Sequence, residues 1–269
     1  VQRRLRRLAP YAWMTRNLIY WLLELRALGF VLNSKLLRLE ERVSLRHLAS
    51  QVPEPELRAK LTPDYRLGCK RVLISDDYYP SLRRPNVTVE TTGIAEVRER
   101  SVLASDGTEY PADAIVFATG FRATEGFVPV RVVGRGGIEL ADAWRTGMDA
   151  YLGTNVAGFP NFFMIIGPNT GLGHNSMILM MEAQYRYVLS ALKTMRTMGL
   201  RAVDVKRDVQ ERFNATLQKR LRKTVWATGC KSWYLDASGK NTTLWPGFTF
   251  AYRSATRRWR ATRYELFRR

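Results

Sequence analysis

Asp113-Ala114-Ile115-Val116-Phe117-Ala118-Thr119-Gly120-Phe121 is the stretch on which the reading of the fold turns. Ile115 to Ala118 form an unbroken apolar run, rich in β-branched and aromatic types, which predicts a strand buried on both faces of a mostly parallel sheet. Thr119 and Gly120 end it. A glycine at the carboxyl end of such a strand permits a sharp turn or the close approach of a ligand, and that edge is where open α/β sheets bind ligands. A purely structural turn leaves the same signature, so the rest of the chain has to decide.

Immediately upstream, Gly93 to Glu99 and Ser101 to Leu103 read as hairpin strands, and Asp106-Gly107 is a turn signal before Thr108 to Tyr110. Val87 to Glu90 alternates as a strand does. Leu67 to Ile74 suggests another strand, with Gly68 and the cations Lys70 and Arg71 at its start. Residues 5 to 60 read as helical. Leu5, Leu8, Trp13, Ile19, Leu22, Leu23, Leu28 and Leu32 recur at spacings near three and four, as in amphipathic helices packed on another layer. Pro53, Pro55 and Pro63 punctuate the passage into the next unit. Downstream, Phe162 to Ile166 is strand-like. Asn175 or Ser176 then caps a helix whose apolar face is Met177, Ile178, Met181, Tyr185, Val188, Leu189 and Leu192, with Gly199 beyond its end.

The totals bound the class. In 269 residues, 46% hydrophobic and 11% aromatic, there is material for a packed core, which argues against disorder. Cys69 and Cys230 give no disulfide framework, and the scattered histidines and cysteines give no metal-ligand spacing; a reducing cytoplasm is the expected setting. Arg16, Glu24 and Arg26 interrupt the apolar stretch 11–32, so no transmembrane segment is expected, although peripheral membrane contact stays open. The formal charge of +19 admits nucleic acid, an anionic membrane or a phosphate-bearing small molecule as partner. Arginines crowd both ends, at Arg3, Arg4, Arg6 and Arg7 and again from Arg253 to Arg269. No aromatic-basic RNA motif, zinc-finger spacing or helix-turn-helix accompanies them, so no specific nucleic acid is expected.

Several short motifs follow one another in an order that carries a resemblance. They are Gly68-Cys69-Lys70-Arg71, Asp77-Tyr78-Tyr79-Pro80, Pro85-Asn86-Val87, Ala118-Thr119-Gly120-Phe121, Gly158-Phe159-Pro160-Asn161, Gly167-Pro168-Asn169 and Ser232-Trp233-Tyr234. In order and approximate spacing the chain resembles the Baeyer-Villiger monooxygenases, flavoproteins that use FAD and NADPH. The family's two Gly-x-Gly-x-x-Gly turns and the His-containing fingerprint between them are absent. The sequence therefore resembles the carboxyl-terminal half of such an enzyme. The fold this implies is α/β, an incomplete pair of dinucleotide-binding domains with a helical insertion. Residues 1–64 would be the insertion of the NADPH domain, 65–117 the end of that domain, and 118–269 the end of the FAD domain.

The resemblance implies oxygen insertion into a ketone or aldehyde, with NADPH and O2 consumed and a flavin C4a-peroxide as the attacking species. Arg71 falls at the family's catalytic arginine. An arginine suits that role because its guanidinium keeps its charge in a dry pocket, where a lysine can lose it. Lys70 falls where the family favours the 2'-phosphate of NADPH. Neighbouring side chains on a strand point to opposite faces and could serve the two tasks separately, although two cations at a strand entrance can equally be solvated surface. Thr119 and Gly120 would line the cofactor, and the helix start at Asn175, Ser176 and Met177 would meet the flavin where reduction deposits charge. Trp233 matches a tryptophan near the nicotinamide. His174 lies in a loop that faces substrate and varies among members, and it receives no role as base or ligand. A heteroatom-oxidising or N-hydroxylating flavin monooxygenase is the alternative within the class; a basic nucleic-acid or membrane-surface module is the alternative outside it.

Overall fold

The computed structural model describes residues 9–120, 124, 130–227 and 232–268. Phe121 and Cys230, Arg269 and the first cluster of arginines lie outside them. The chain divides into two compact units, one made of residues 1–39, 65–72 and 123–269, the other of 40–64 and 73–122.

The larger unit opens on helix α1 (Ala9–Ala27), which passes into a π-helical turn at Leu28–Leu32 and a 3-10 turn at Ser34–Leu36. The π turn places Phe30 in the main core with Leu172, Met180, Leu217, Trp226, Tyr234 and other residues. A long helix, Met177–Thr197, forms one side of that core, and Arg207–Leu221 forms another. The two strands Leu200–Val205 and Tyr264–Arg268 pair antiparallel, Leu200 opposite Arg268 and Val205 opposite Tyr264. A buried chain of hydroxyls ties this ribbon to the long helix. Tyr187 donates to Tyr264 Oη at 2.7 Å, and Tyr264 donates to Asn155 Oδ1 at 2.9 Å. Burial pushes both phenol pKa values up, so the groups stay neutral donors.

In chain order the remaining helices are α2 (Leu37–Gln51), α3 (Pro55–Leu61), α4 (Tyr78–Leu82) and α5 (Leu140–Ala143). The long helix is then α6, Arg207–Leu221 is α7 and Thr249–Ala255 is α8. The smaller unit holds the antiparallel sheet β1 (Ile94–Val97), β2 (Ser101–Ala104) and β3 (Glu109–Pro111); the later ribbon is β4 and β5. The hairpin turn follows the sequence. Gly107 has φ +90° and the Thr108 amide donates to Asp106 Oδ1 at 3.0 Å. Beside it, Glu90 accepts from Thr92 through side chain and backbone, from Tyr110 and from Thr91, and these donors draw its pKa down to about 2. In the same unit Arg83 grips Glu54 with three hydrogen bonds, at 2.6, 2.9 and 3.1 Å.

Several expectations are corrected. Ile115 to Ala118 forms no strand and pairs with none among the described residues, and Val116 and Phe117 are 87% and 78% exposed. A buried strand needs ladder partners on both sides, and both sheets described here are antiparallel and lie elsewhere in the chain. Leu67 to Ile74, Val87 to Glu90 and Phe162 to Ile166 likewise form no ladder. The buried face of α6 is Leu179, Met180, Ala183, Gln184, Tyr187, Ala191 and Met195, whereas Ile178, Tyr185, Leu189 and Leu192 are exposed. On α1, Trp13, Ile19 and Leu22 are exposed, while Glu24 and Ala27 are buried. Cys69 is buried. Among the described residues, no helix is long and apolar enough to cross a membrane and no group of side chains is arranged to hold a metal ion.

Candidate functional site

Phe30 is the centre of the arrangement. Its ring stacks on Trp226 with centroids 6.2 Å apart and faces His174 at 6.5 Å. Gly68 lies against its edge with φ +86°, where a Cβ would stand 2.2 Å from the ring, so only glycine fits. At Gly173 a Cβ would stand 3.0 Å from Trp226 and 3.7 Å from Phe30. One aromatic ring thus holds the Gly68-Cys69-Lys70-Arg71 segment and the Gly173-His174-Asn175 loop to the same core.

From Gly68 the chain leads to two exposed cations. Lys70 Nζ sits 4.3 Å above the Tyr65 ring, a cation–π contact. Arg71 is exposed, and its charge reaches the buried Tyr234; there desolvation raises the phenol pKa and Arg71 offsets part of the rise. Trp233, next to Tyr234 with rings 4.5 Å apart, is half-exposed. Lys70, Arg71 and Trp233 therefore belong to one region of the larger unit.

The loop leads into the start of α6. Ser176 is the N-cap, its Oγ accepting from the Ile178 amide at 3.3 Å, and Asn175 Oδ1 accepts from the Ser176 amide at 2.9 Å. The Leu179 amide donates to Ser176 O at 3.2 Å. That leaves the Met177 amide donating to no acceptor among the described residues. The Met177 side chain folds back, its Sδ accepting from the Leu172 amide at 3.3 Å. A helix start with one amide unspent is chemically suited to an anion or a carbonyl that gains negative charge. Thr119 and Gly120 belong to the smaller unit. Both are exposed, and Gly120 has φ +89° with open space where a Cβ would be.

Reading the residues alone missed three contributors. Phe30 reads as one more apolar residue of a helix, because its partners lie far along the chain. Trp226 gives no motif. Glu24 reads as an interruption of an apolar stretch, yet it is 2% exposed and accepts from Asn175 and Thr249. The one signal was its place, a lone carboxylate among Leu22, Leu23, Leu25 and Ala27.

The fit to a flavin and a nicotinamide dinucleotide rests on these donors. The helix start with its unspent amide and the two cations after Gly68 suit a cofactor that carries phosphates and gains charge on reduction.

No family model matches the chain. It is 48% identical over 267 residues to a Baeyer-Villiger monooxygenase of Pseudomonas aeruginosa, a match covering 98% of this chain and 51% of that protein. A Baeyer-Villiger monooxygenase of Streptomyces coelicolor is 47% identical over 257 residues, covering 95% and 50%. Among solved structures, OTEMO in complex with FAD and NADP superposes with a TM-score of 0.77 at 25% identity, over 88% of this chain and 46% of that one. The chain spans about half the length of the curated relatives it matches. Identity of this order along nearly the whole sequence, joined to the shared fold, means that the chain belongs to the Baeyer-Villiger monooxygenase family.

Proposed function

We propose that this chain forms the carboxyl-terminal half of a monooxygenase that takes two electrons from NADPH and inserts one atom of O2 into a ketone or aldehyde. The second oxygen atom leaves as water. The observation that carries the reading is the convergence on Phe30 of the Lys70-Arg71 segment and the start of α6. FAD, when bound, supplies the electron transfer and the activation of oxygen.

The chain's own residues bind and orient. The Met177 amide, with Asn175 and Ser176 fixing the turn before it, offers a donor to the flavin edge that gains charge. Arg71 holds a permanent positive charge beside the reacting oxygen, and Lys70 recognises the 2'-phosphate of NADPH. Trp233 packs near the nicotinamide. Thr119 and Gly120 give the backbone room to approach the cofactor. In this reading residues 1–64 and 65–117 belong with the NADPH-binding part and 118–269 with the FAD-binding part. The test is purification of the full-length protein, expected to be yellow and to consume NADPH and O2 in step with ester formation from a ketone. A full-length protein that holds no flavin and takes none up would overturn the proposal.

A further inference from the structure

Glu24 sits in the last turn of α1 and is buried, although a carboxylate in an apolar surrounding is costly unless its oxygens are satisfied. Here they are. Oε1 accepts from Asn175 Nδ2 at 3.0 Å and from the Thr249 amide at 3.1 Å, and Oε2 lies 3.2 Å from the same amide. The Thr249 contact caps the start of α8. The Asn175 contact reaches the start of α6, where Asn175 is held from both ends, giving its Nδ2 to Glu24 and receiving the Ser176 amide at Oδ1. His174, the preceding residue, has a fully buried side chain with Nε2 3.8 Å from Glu24 Oε1, and among the described residues neither ring nitrogen has a hydrogen-bond partner. The imidazole is thus held by packing against Phe30 and by its proximity to the carboxylate. Burial works to raise the Glu24 pKa, but His174, Thr249 and Asn175 together hold it below the usual carboxylate range, so the group is an anion at neutral pH.

We propose that Glu24 is a positioning residue for the cofactor-facing turn: by gripping Asn175 from α1 it sets the orientation of the Asn175-Ser176-Met177 turn and so the direction of the free Met177 amide. The inference rests on the flavin reading of that helix start. The link to Asn175 is the one that connects α1 to the turn.

The test uses the full-length protein, with FAD affinity measured by titrating the apoprotein and with the visible circular dichroism of the bound flavin. Glu24→Ala should weaken FAD binding at least ~10-fold and alter the flavin dichroism. Glu24→Gln, which keeps an acceptor oxygen in place, should stay within ~3-fold of wild type. Asn175→Ala should reproduce the loss, and the double variant should be no worse than either single one, as for residues acting through one link. Should Glu24→Ala fail to fold, Asn175→Ala and Glu24→Asp carry the test, the shorter carboxylate losing affinity while remaining folded. Variants that only melt earlier, with unchanged FAD affinity and dichroism, or losses that add in the double variant, would overturn the inference and leave the flavin reading standing. A wild-type protein that binds no FAD would remove both.

Discussion

At the scale of single residues, what matters most is where a side chain cannot be. Gly68 combines a left-handed backbone with a ring pressed against its α-carbon. Gly68→Ala should therefore cost about 2–4 kcal/mol, the sum of left-handed strain and overpacking, read from urea unfolding. Arg71 and Lys70 follow on the same segment. In the full-length enzyme Arg71→Ala should leave reduction of the flavin by NADPH near wild type while abolishing product formation, measured by stopped-flow and by product analysis. Lys70→Ala should raise the KM for NADPH and narrow its preference over NADH. Glu24 adds a pH signature. Its folded pKa is depressed, so its contribution to stability is complete above the unfolded value of about 4.3 and is lost as pH falls through the folded one. Melting temperature should consequently fall more steeply below about pH 4.3 in the wild type than in Glu24→Gln.

At the scale of elements, local chemistry was legible and long-range packing was not. The hairpin of β1 to β3 and the cap of α6 were readable because their determinants lie within a few residues, Asp106-Gly107 in one case and Ser176 in the other. Ser176→Ala should accordingly destabilise α6 by about 1 kcal/mol, measured by denaturant titration. The buried face of α6 was misread for a physical reason. Beside Leu179, Met180, Tyr187 and Met195 it carries Ala183, Gln184 and Ala191, small or polar, and Gln184 satisfies irregular chain by accepting from the Ile166 amide and donating to Gly153 O. Large apolar residues stand on both sides of the helix, so their size alone does not pick the buried one. The site divides the same way. Lys70, Arg71 and Asn175 to Met177 were singled out through motifs, whereas the Phe30 ring that gathers their segments is visible only once residues separated by more than a hundred positions are in contact.

At the scale of the whole molecule, α1 exposes Trp13, Ile19 and Leu22, α6 exposes Ile178, Leu189 and Leu192, and Val116 and Phe117 are exposed as well. The 269-residue chain by itself should associate at micromolar concentration and bind a hydrophobic dye, and a monodisperse, dye-silent monomer in light scattering would contradict this. Co-expression with the remaining half of the family's length should suppress both behaviours if that surface is an internal face of the larger protein.

The ribbon of β4 and β5 has a corollary for truncation. Deleting Tyr264 to Arg268 would remove all of β5, strip Leu200 to Val205 of its ladder, and take away the phenol that accepts from Tyr187 and donates to Asn155. The loss of five residues should therefore be felt as far away as the middle of the long helix.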